Sequence, residues 1–221
     1  MSANVTSSLD LVPPTGAVLF DAVGTLIQLR EPVGQTYARF AGGDASAPLL
    51  DAAFAVVLRG RPPMVFPGLP PAAVRAAERA WWSELVDAVF DAAGAPLADI
   101  DAVFPALFDH YAGAAAWELR PGAHALLDAL RARGVHTGMV SNFDHRLHAV
   151  LAELDLAARL EVVVLPADAG AAKPDARIFH LALQRLHVAA ADAVYVGDDA
   201  EDDIAGATRA GLRAVDVASL Q

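Results

Sequence analysis

From Arg120-Pro121-Gly122 onward the chain alternates helix and strand, and this alternation limits the fold more than any other feature. Helix is expected over residues 123–133 and strand over 135–140. Helix over 145–154 then precedes strand over 161–165, and helix over 176–186 precedes strand over 193–196. A last helix over 203–210 precedes strand over 213–217. Strands separated by helices pair in parallel, and their crossovers cover both faces of the sheet. An apolar, β-branched run, Ala17-Val18-Leu19-Phe20, reads as one more buried strand of that sheet. The expected fold class is therefore α/β, a Rossmann-like parallel sheet with helices on both faces.

Between the first strand and the rest lies a block without convincing strands. Helices are expected over 34–41, 49–58, 71–93 and 100–115. The third of these starts on Pro71 and stops at Gly94. The block reads as a helical insertion. The expected division is a core of residues 1–30 and 118–221 and an all-helical domain of residues 31–117.

A chain of 221 residues, 55% hydrophobic, suits one domain with an insertion or two small domains. It contains no cysteine, which removes disulfides and thiolate metal sites. Its net charge of -11 disfavours nucleic acid and anionic membrane surfaces as partners. Residues 1–16 lack the basic start and apolar run of a signal peptide and read as a loose leader around Ser7, Ser8, Pro13 and Pro14. No stretch approaches the ~20 apolar residues of a membrane span. The expectation is a soluble, cytoplasmic protein, monomer or homodimer.

In an open α/β sheet, ligands bind outside the carboxyl ends of the strands. Four strand ends carry reactive groups here. Asp21 follows the first strand, with Gly24 and Thr25 turning just beyond. Ser141-Asn142 follows the strand over 135–140. Lys173 follows the strand over 161–165 after a short loop. Asp198, Asp199, Asp202 and Asp203 follow the strand over 193–196. Each has a plain explanation alone: Asp21 as a turn former, Ser141 as a helix cap, the acidic cluster as a favourable helix start. Their convergence on one edge does not. Lys173 is also the only lysine beside fifteen arginines.

Together these groups suit phosphoryl transfer. Clustered carboxylates repel one another and an anionic substrate unless a cation is present, and oxygen ligands favour a hard ion such as Mg²⁺. Lys173 would stabilise both Asp21 and the group being transferred. Ser141 and the N–H groups around Asn142 would hold phosphoryl oxygens at a helix start. Asp21 would be the nucleophile, forming an aspartyl-phosphate that water then hydrolyses.

The same segments resemble the haloacid dehalogenase superfamily. Phe20-Asp21-Ala22-Val23-Gly24-Thr25-Leu26 is similar to its first motif and Val140-Ser141-Asn142-Phe143-Asp144 to its second. Lys173-Pro174-Asp175 is similar to its third, and Val196-Gly197-Asp198-Asp199 through Asp203-Ile204-Ala205-Gly206-Ala207 to its fourth. The resemblance spans residues 17–217. It implies that residues 31–117 are a helical cap of the kind inserted after the first motif, which closes over the site and selects the substrate. It further implies a Mg²⁺-dependent phosphatase acting on a small phosphorylated metabolite. Asp21, Ser141 and Lys173 would be catalytic, Ser141, Asn142 and Lys173 would bind phosphate, and the metal would be held by Asp21, the Val23 carbonyl, Asp198 and Asp203, the last ligating or supporting.

One position departs from the pattern. Family phosphatases carry a second Asp two residues after the nucleophile as general acid and base, and this chain has Val23 there. General acid–base catalysis is typically worth roughly 10²–10⁴-fold. The dehalogenases of the superfamily also lack that acid, so a 2-haloacid dehalogenase-type hydrolase is the main rival. Asp198 argues against it, because the dehalogenases have neutral groups there. A phosphonate hydrolase is disfavoured by a cap without lysine, and a sugar-phosphate mutase by Val23. A degenerate member that binds a ligand without turnover is the non-enzymatic alternative. In the cap, Trp81 and Trp82, with Arg59 and Arg61, either reach substrate or, the commoner fate of such tryptophans, pack in the core.

Overall fold

The computed structural model describes residues 16–42 and 45–220. All of the expected leader except Gly16 lies outside the described residues. The chain divides into two compact units, Met1–Gln28 with Leu119–Gln221, and Leu29–Glu118.

The first unit holds a five-stranded sheet. Its strands are β1 (Ala17–Phe20), β4 (His136–Val140), β5 (Val162–Val164), β6 (Ala193–Gly197) and β7 (Arg213–Asp216), in the order β5-β4-β1-β6-β7. Every pairing is parallel. All four residues of β1 are fully buried, as expected of a central strand covered on both faces. Two further short strands, β2 (Ile27–Leu29) and β3 (Trp117–Leu119), pair with each other where the chain passes between the units. They had no counterpart in the sequence reading, because three residues carry too little periodicity.

Side chains alternate across the sheet. Ala17 and Leu19 of β1, Val140, Val164, Ala193 and Tyr195 face one core. Ile178, Phe179, Ala182, Leu183 and Leu186 of the helix Ala176–Leu186 pack into it. That helix has the limits expected because both ends are capped. Asp175 accepts from the Arg177 N–H at 2.9 Å, and His187 closes the other end with a left-handed φ of 57°. The helices Ala123–Ala132 and Leu147–Glu153 bury Leu127, Leu130, Val150 and Leu151.

Registers set the level of the site. Phe20 pairs with Met139 on one side and Val196 on the other. Asp21 therefore emerges beside Val140 and Gly197, one residue before Ser141 and Asp198.

The second unit is helical: Val33–Ala41, Ala47–Gly60, Pro71–Ala92 and Ile100–His110. Tyr37, Leu50, Leu85, Val89, Phe90, Phe104 and Leu107 form its core, with Tyr37 stacked on Phe90 at 5.9 Å. The last helix stops at His110, short of the expected residue 115. Tyr111 caps it and a turn follows, in which Ala112 N–H donates to Asp109 at 3.0 Å and Trp117 N–H to Ala114 at 3.2 Å. That turn frees Trp117 to enter β3. Trp81 packs against this core, donates its indole N–H to the Pro62 carbonyl at 3.2 Å, and carries the Arg61 guanidinium over its ring. Trp82 meets Trp81 edge-on at 5.1 Å. This is the packing reading of the pair. No described helix is long and apolar enough to cross a membrane.

Candidate active site

The carboxyl ends of β1, β4 and β6, with the segment after β5, bring Asp21, Ser141, Asn142, Lys173, Asp198, Asp202 and Asp203 together. The turn after β1 is built on Ala22, whose carbonyl accepts from Leu26 and Ile27, both at 2.9 Å. Asp21 N–H donates to Val196 O at 2.9 Å, fixing the start of that turn to β6. Val23 is half-buried and forms an isolated bridge with Ile27. Gly24 has a φ of +89°, and a Cβ there would lie 2.2 Å from Oδ2 of Asp198. The turn needs glycine on both counts.

Lys173 is the hub. Its ammonium donates to Oδ1 of Asp21 and to Oδ1 of Asp203, each at 2.6 Å, and to the Tyr195 hydroxyl at 3.1 Å. It is 5% exposed, beside Asp21 at 7% and Asp203 at 1%. Burial alone would pull the lysine toward neutrality, but the Asp21 and Asp203 charges outweigh it and hold its pKa above the ordinary value. Burial raises the pKa of Asp21, Lys173 opposes that, and Asp203 adds to it.

Asp203 accepts from Lys173 at Oδ1, with the Tyr195 hydroxyl 3.0 Å from the same oxygen, and Oδ2 accepts from the N–H groups of Asp198 at 3.0 Å and Asp199 at 3.1 Å. Both its oxygens are committed, which fits support of the site better than direct ligation. Gly197 permits this approach, since a Cβ there would meet Asp203 Cγ at 2.4 Å. Asp198 is more open, and burial together with Asp21 and Asp203 raises its pKa.

The expected helix over 203–210 is instead a π-helical turn, Ala200–Ala205, running into the α-helix Gly206–Arg209. The wider turn places consecutive carboxylates on different partners. Asp202 accepts from the Asn142 amide at 3.2 Å, while Asp203 takes Lys173. Asp199 caps the turn by accepting from Glu201 and Asp202 N–H, both at 2.8 Å.

Ser141 is buried at the end of β4, its N–H donating to Val164 O at 3.2 Å. Asn142 clamps the segment after β5: its amide donates to Lys173 O at 3.0 Å and accepts from Lys173 N–H at 2.7 Å. Its side chain thus positions Lys173. Two features escaped the sequence reading. Asp144 and Arg146 form a buried pair, with Nη2 2.6 Å from Oδ2, that starts the Leu147–Glu153 helix two residues later than expected. Tyr195 lies in β6 among aliphatic residues. The signal available was a tyrosine in an aliphatic strand, whose buried hydroxyl must find partners.

Among the described residues, Asp21, Asp198 and Asp203 each offer an oxygen within 4.8 Å of the others, a group able to hold a metal ion. The donors are all hard oxygens, and one lysine faces three carboxylates. That chemistry fits Mg²⁺.

The family model for haloacid dehalogenase-like hydrolases matches residues 15–211. The haloacid dehalogenase-like hydrolase domain-containing protein 3 of Bos taurus is 34% identical over 207 residues, covering 90% of this chain and 80% of that protein. A ribulose-1,5-bisphosphate 5-phosphatase of Halopiger xanaduensis is 38% identical over 98 residues, 44% of this chain and 41% of its own. A solved structure described as a dehalogenase superposes with a TM-score of 0.68 at 24% identity, over 91% of this chain and 84% of that one. The fold, the four strand-end segments and these matches agree: the chain belongs to the haloacid dehalogenase-like hydrolase family.

Proposed function

We propose that this protein is a Mg²⁺-dependent phosphatase, hydrolysing a small phosphorylated metabolite through an aspartyl-phosphate on Asp21. The observation that carries the reading is the surplus of carboxylate at the site. Asp21 and Asp203 share the Lys173 ammonium, Asp198 lies within 4.8 Å of both, and burial and mutual repulsion push Asp21 and Asp198 toward the neutral form. A divalent cation relieves that surplus and lets a dianionic phosphate approach. The similarity to a ribulose-1,5-bisphosphate phosphatase supports the same class.

Asp21, the Val23 carbonyl and Asp198 would hold the ion, with Asp203 supporting them. When bound, Mg²⁺ neutralises charge on the phosphoryl oxygens. The remaining work falls to the chain. Lys173 orients Asp21 and places positive charge beside the reacting phosphorus. Ser141 and the main-chain N–H groups after it form the cradle for phosphoryl oxygens. An Asp21 oxygen attacks phosphorus as the bond to the leaving oxygen breaks. Water then attacks the same phosphorus, releasing inorganic phosphate and Asp21. Val23 supplies no proton to the leaving group, so either the cap or the substrate lends one or the leaving group departs as a stable anion. We place the reaction in the cytoplasm, in a monomer or homodimer, with the helical unit as the substrate-selecting cap.

Val23 favours one competing reading, a 2-haloacid dehalogenase, in which Asp21 attacks carbon and displaces halide without metal. The test is a panel of phosphorylated metabolites with Mg²⁺ beside 2-chloropropionate without metal. Mg²⁺-dependent phosphate release is expected. Hydrolysis undiminished by EDTA, or halide release alone, overturns the proposal.

A further inference from the structure

We infer that Tyr195 is a positioning residue of the site, its hydroxyl holding the Lys173 ammonium at the angle that serves Asp21. An ammonium has three protons, and the structure gives each a partner: Asp21, Asp203 and the Tyr195 hydroxyl. The two carboxylates fix the charge, and Tyr195 fixes the third direction. Without it the third proton, buried with the ammonium, loses its acceptor, and the ammonium is held on two sides only.

The same oxygen reaches further. It lies 2.9 Å from the carbonyl of Val140, the residue before Ser141, and 3.0 Å from Oδ1 of Asp203. One buried hydroxyl therefore touches three of the four segments that compose the site. It has one proton and two acceptors, so it donates to Val140 or to Asp203 while accepting from Lys173. When an anionic substrate draws Lys173 away from Asp203, rotation of this hydroxyl supplies Asp203 with a replacement donor. The carboxylate stays in place and continues to hold the N–H groups of Asp198 and Asp199. The ring is anchored for the task, fully buried in β6 and edge-on to Phe179 at 5.0 Å.

The inference rests on the proposed phosphatase reading for its kinetic part only. Tyr195→Phe removes the oxygen and keeps the ring. The expected result is a fall in kcat on the order of tenfold, the kinetic equivalent of one hydrogen bond to a charged group, with KM nearly unchanged. Phe179→Leu disturbs the packing around the ring and leaves the hydroxyl, and it should not reproduce that split. Because Lys173 is the only lysine, protein labelled with lysine-¹⁵Nζ gives a single side-chain ammonium resonance. In the wild type its protons should exchange slowly and show a cross-peak to the Tyr195 ring. In Tyr195→Phe the resonance should shift and exchange faster. An unchanged resonance, an equal kcat loss in Phe179→Leu, or no cross-peak in the wild type overturns the inference. The wild-type measurement decides even where Tyr195→Phe does not fold. If no phosphoester is turned over at all, the phosphatase reading fails and the ammonium measurements still judge Tyr195.

Discussion

The backbone of Gly24 faces the Asp198 carboxylate so closely that a single added methyl would lie 2.2 Å from its Oδ2. The turn after Asp21 and the acidic end of β6 are thus fitted to one another, and the φ of +89° at Gly24 is a second constraint. Gly24→Ala should destabilise the fold by about 1–3 kcal/mol through backbone strain. It should also push Asp198 away from Asp21 and weaken Mg²⁺ binding. Thermal melts and calorimetric Mg²⁺ titration of both proteins check this. Unchanged affinity in the alanine variant would show that Asp198 does not need its present position.

Asp21 and Lys173 should separate activity from stability. In Asp21→Asn the amide is close in shape, still accepts from Lys173, and removes one charge from an acidic site. Turnover should vanish while stability stays within about 1 kcal/mol of wild type. Lys173→Ala leaves Asp21 and Asp203 buried without their cation, a loss of about 3–5 kcal/mol as well as of activity. Denaturant unfolding of the three proteins gives the ranking. A folded Asp21→Asn enzyme with normal rates would remove the covalent mechanism.

Mg²⁺ should stabilise the protein apart from any catalysis. At a concentration about 100 times its Kd, an ion that binds only the folded state adds about 2.7 kcal/mol. Asp198→Asn removes a proposed ligand and part of the repulsion among the carboxylates. The variant should melt no lower than wild type without metal, yet gain far less from Mg²⁺. Equal Mg²⁺-induced shifts in Tm for the two proteins would place the ion elsewhere.

Asp175 provides a pH-dependent test away from the chemistry. Its hydrogen bonds to the Arg177 side chain and N–H hold its pKa at about 2, below the ordinary 3.8. The folded state therefore favours the charged form. The contribution is fully present above pH 3.8 and disappears as pH falls through about 2. Asp175→Ala should cost about 1 kcal/mol at neutral pH, as for other helix N-caps. That difference should close toward pH 2. A gap independent of pH would point to packing instead of the cap.

What the sequence made legible follows from where its signals are local. Helix 176–186 could be bounded because Asp175 and His187 act within one turn of its ends, and the sheet could be inferred because the strands lie between helices. Asp21, Ser141, Lys173 and Asp198 stood out because each immediately follows an apolar run or sits alone in its loop. The contacts of Tyr195 and the side-chain clamp of Asn142 on Lys173 were not legible. Both act across long chain separations, Tyr195 on Val140 and Asn142 on Lys173, and no local pattern marks such partners. The π-helical turn was hidden for a related reason. Consecutive Asp202 and Asp203 read as one acidic helix start, and only the folded turn shows Asp202 on Asn142 and Asp203 on Lys173.

Val23 leaves the proposed enzyme without an acid beside the departing oxygen, and its rates should depend steeply on leaving-group quality. Aryl and acyl phosphates should react far better than alkyl phosphates, because their leaving groups depart as stable anions. Val23→Asp should flatten that dependence, with the largest gain for alkyl phosphates, up to the roughly 10²–10⁴-fold of general acid catalysis. Val23 is half-buried, so a carboxyl there keeps some water. It also stands next to Gly24, whose backbone abuts Asp198, so neighbouring negative charge raises its pKa in the direction an acid needs. The measurement is kcat/KM against leaving-group pKa for both proteins at fixed Mg²⁺. Equal slopes in a folded variant that binds Mg²⁺ would mean that another group already delivers the proton, and the search would move to the helical unit and to the substrate itself.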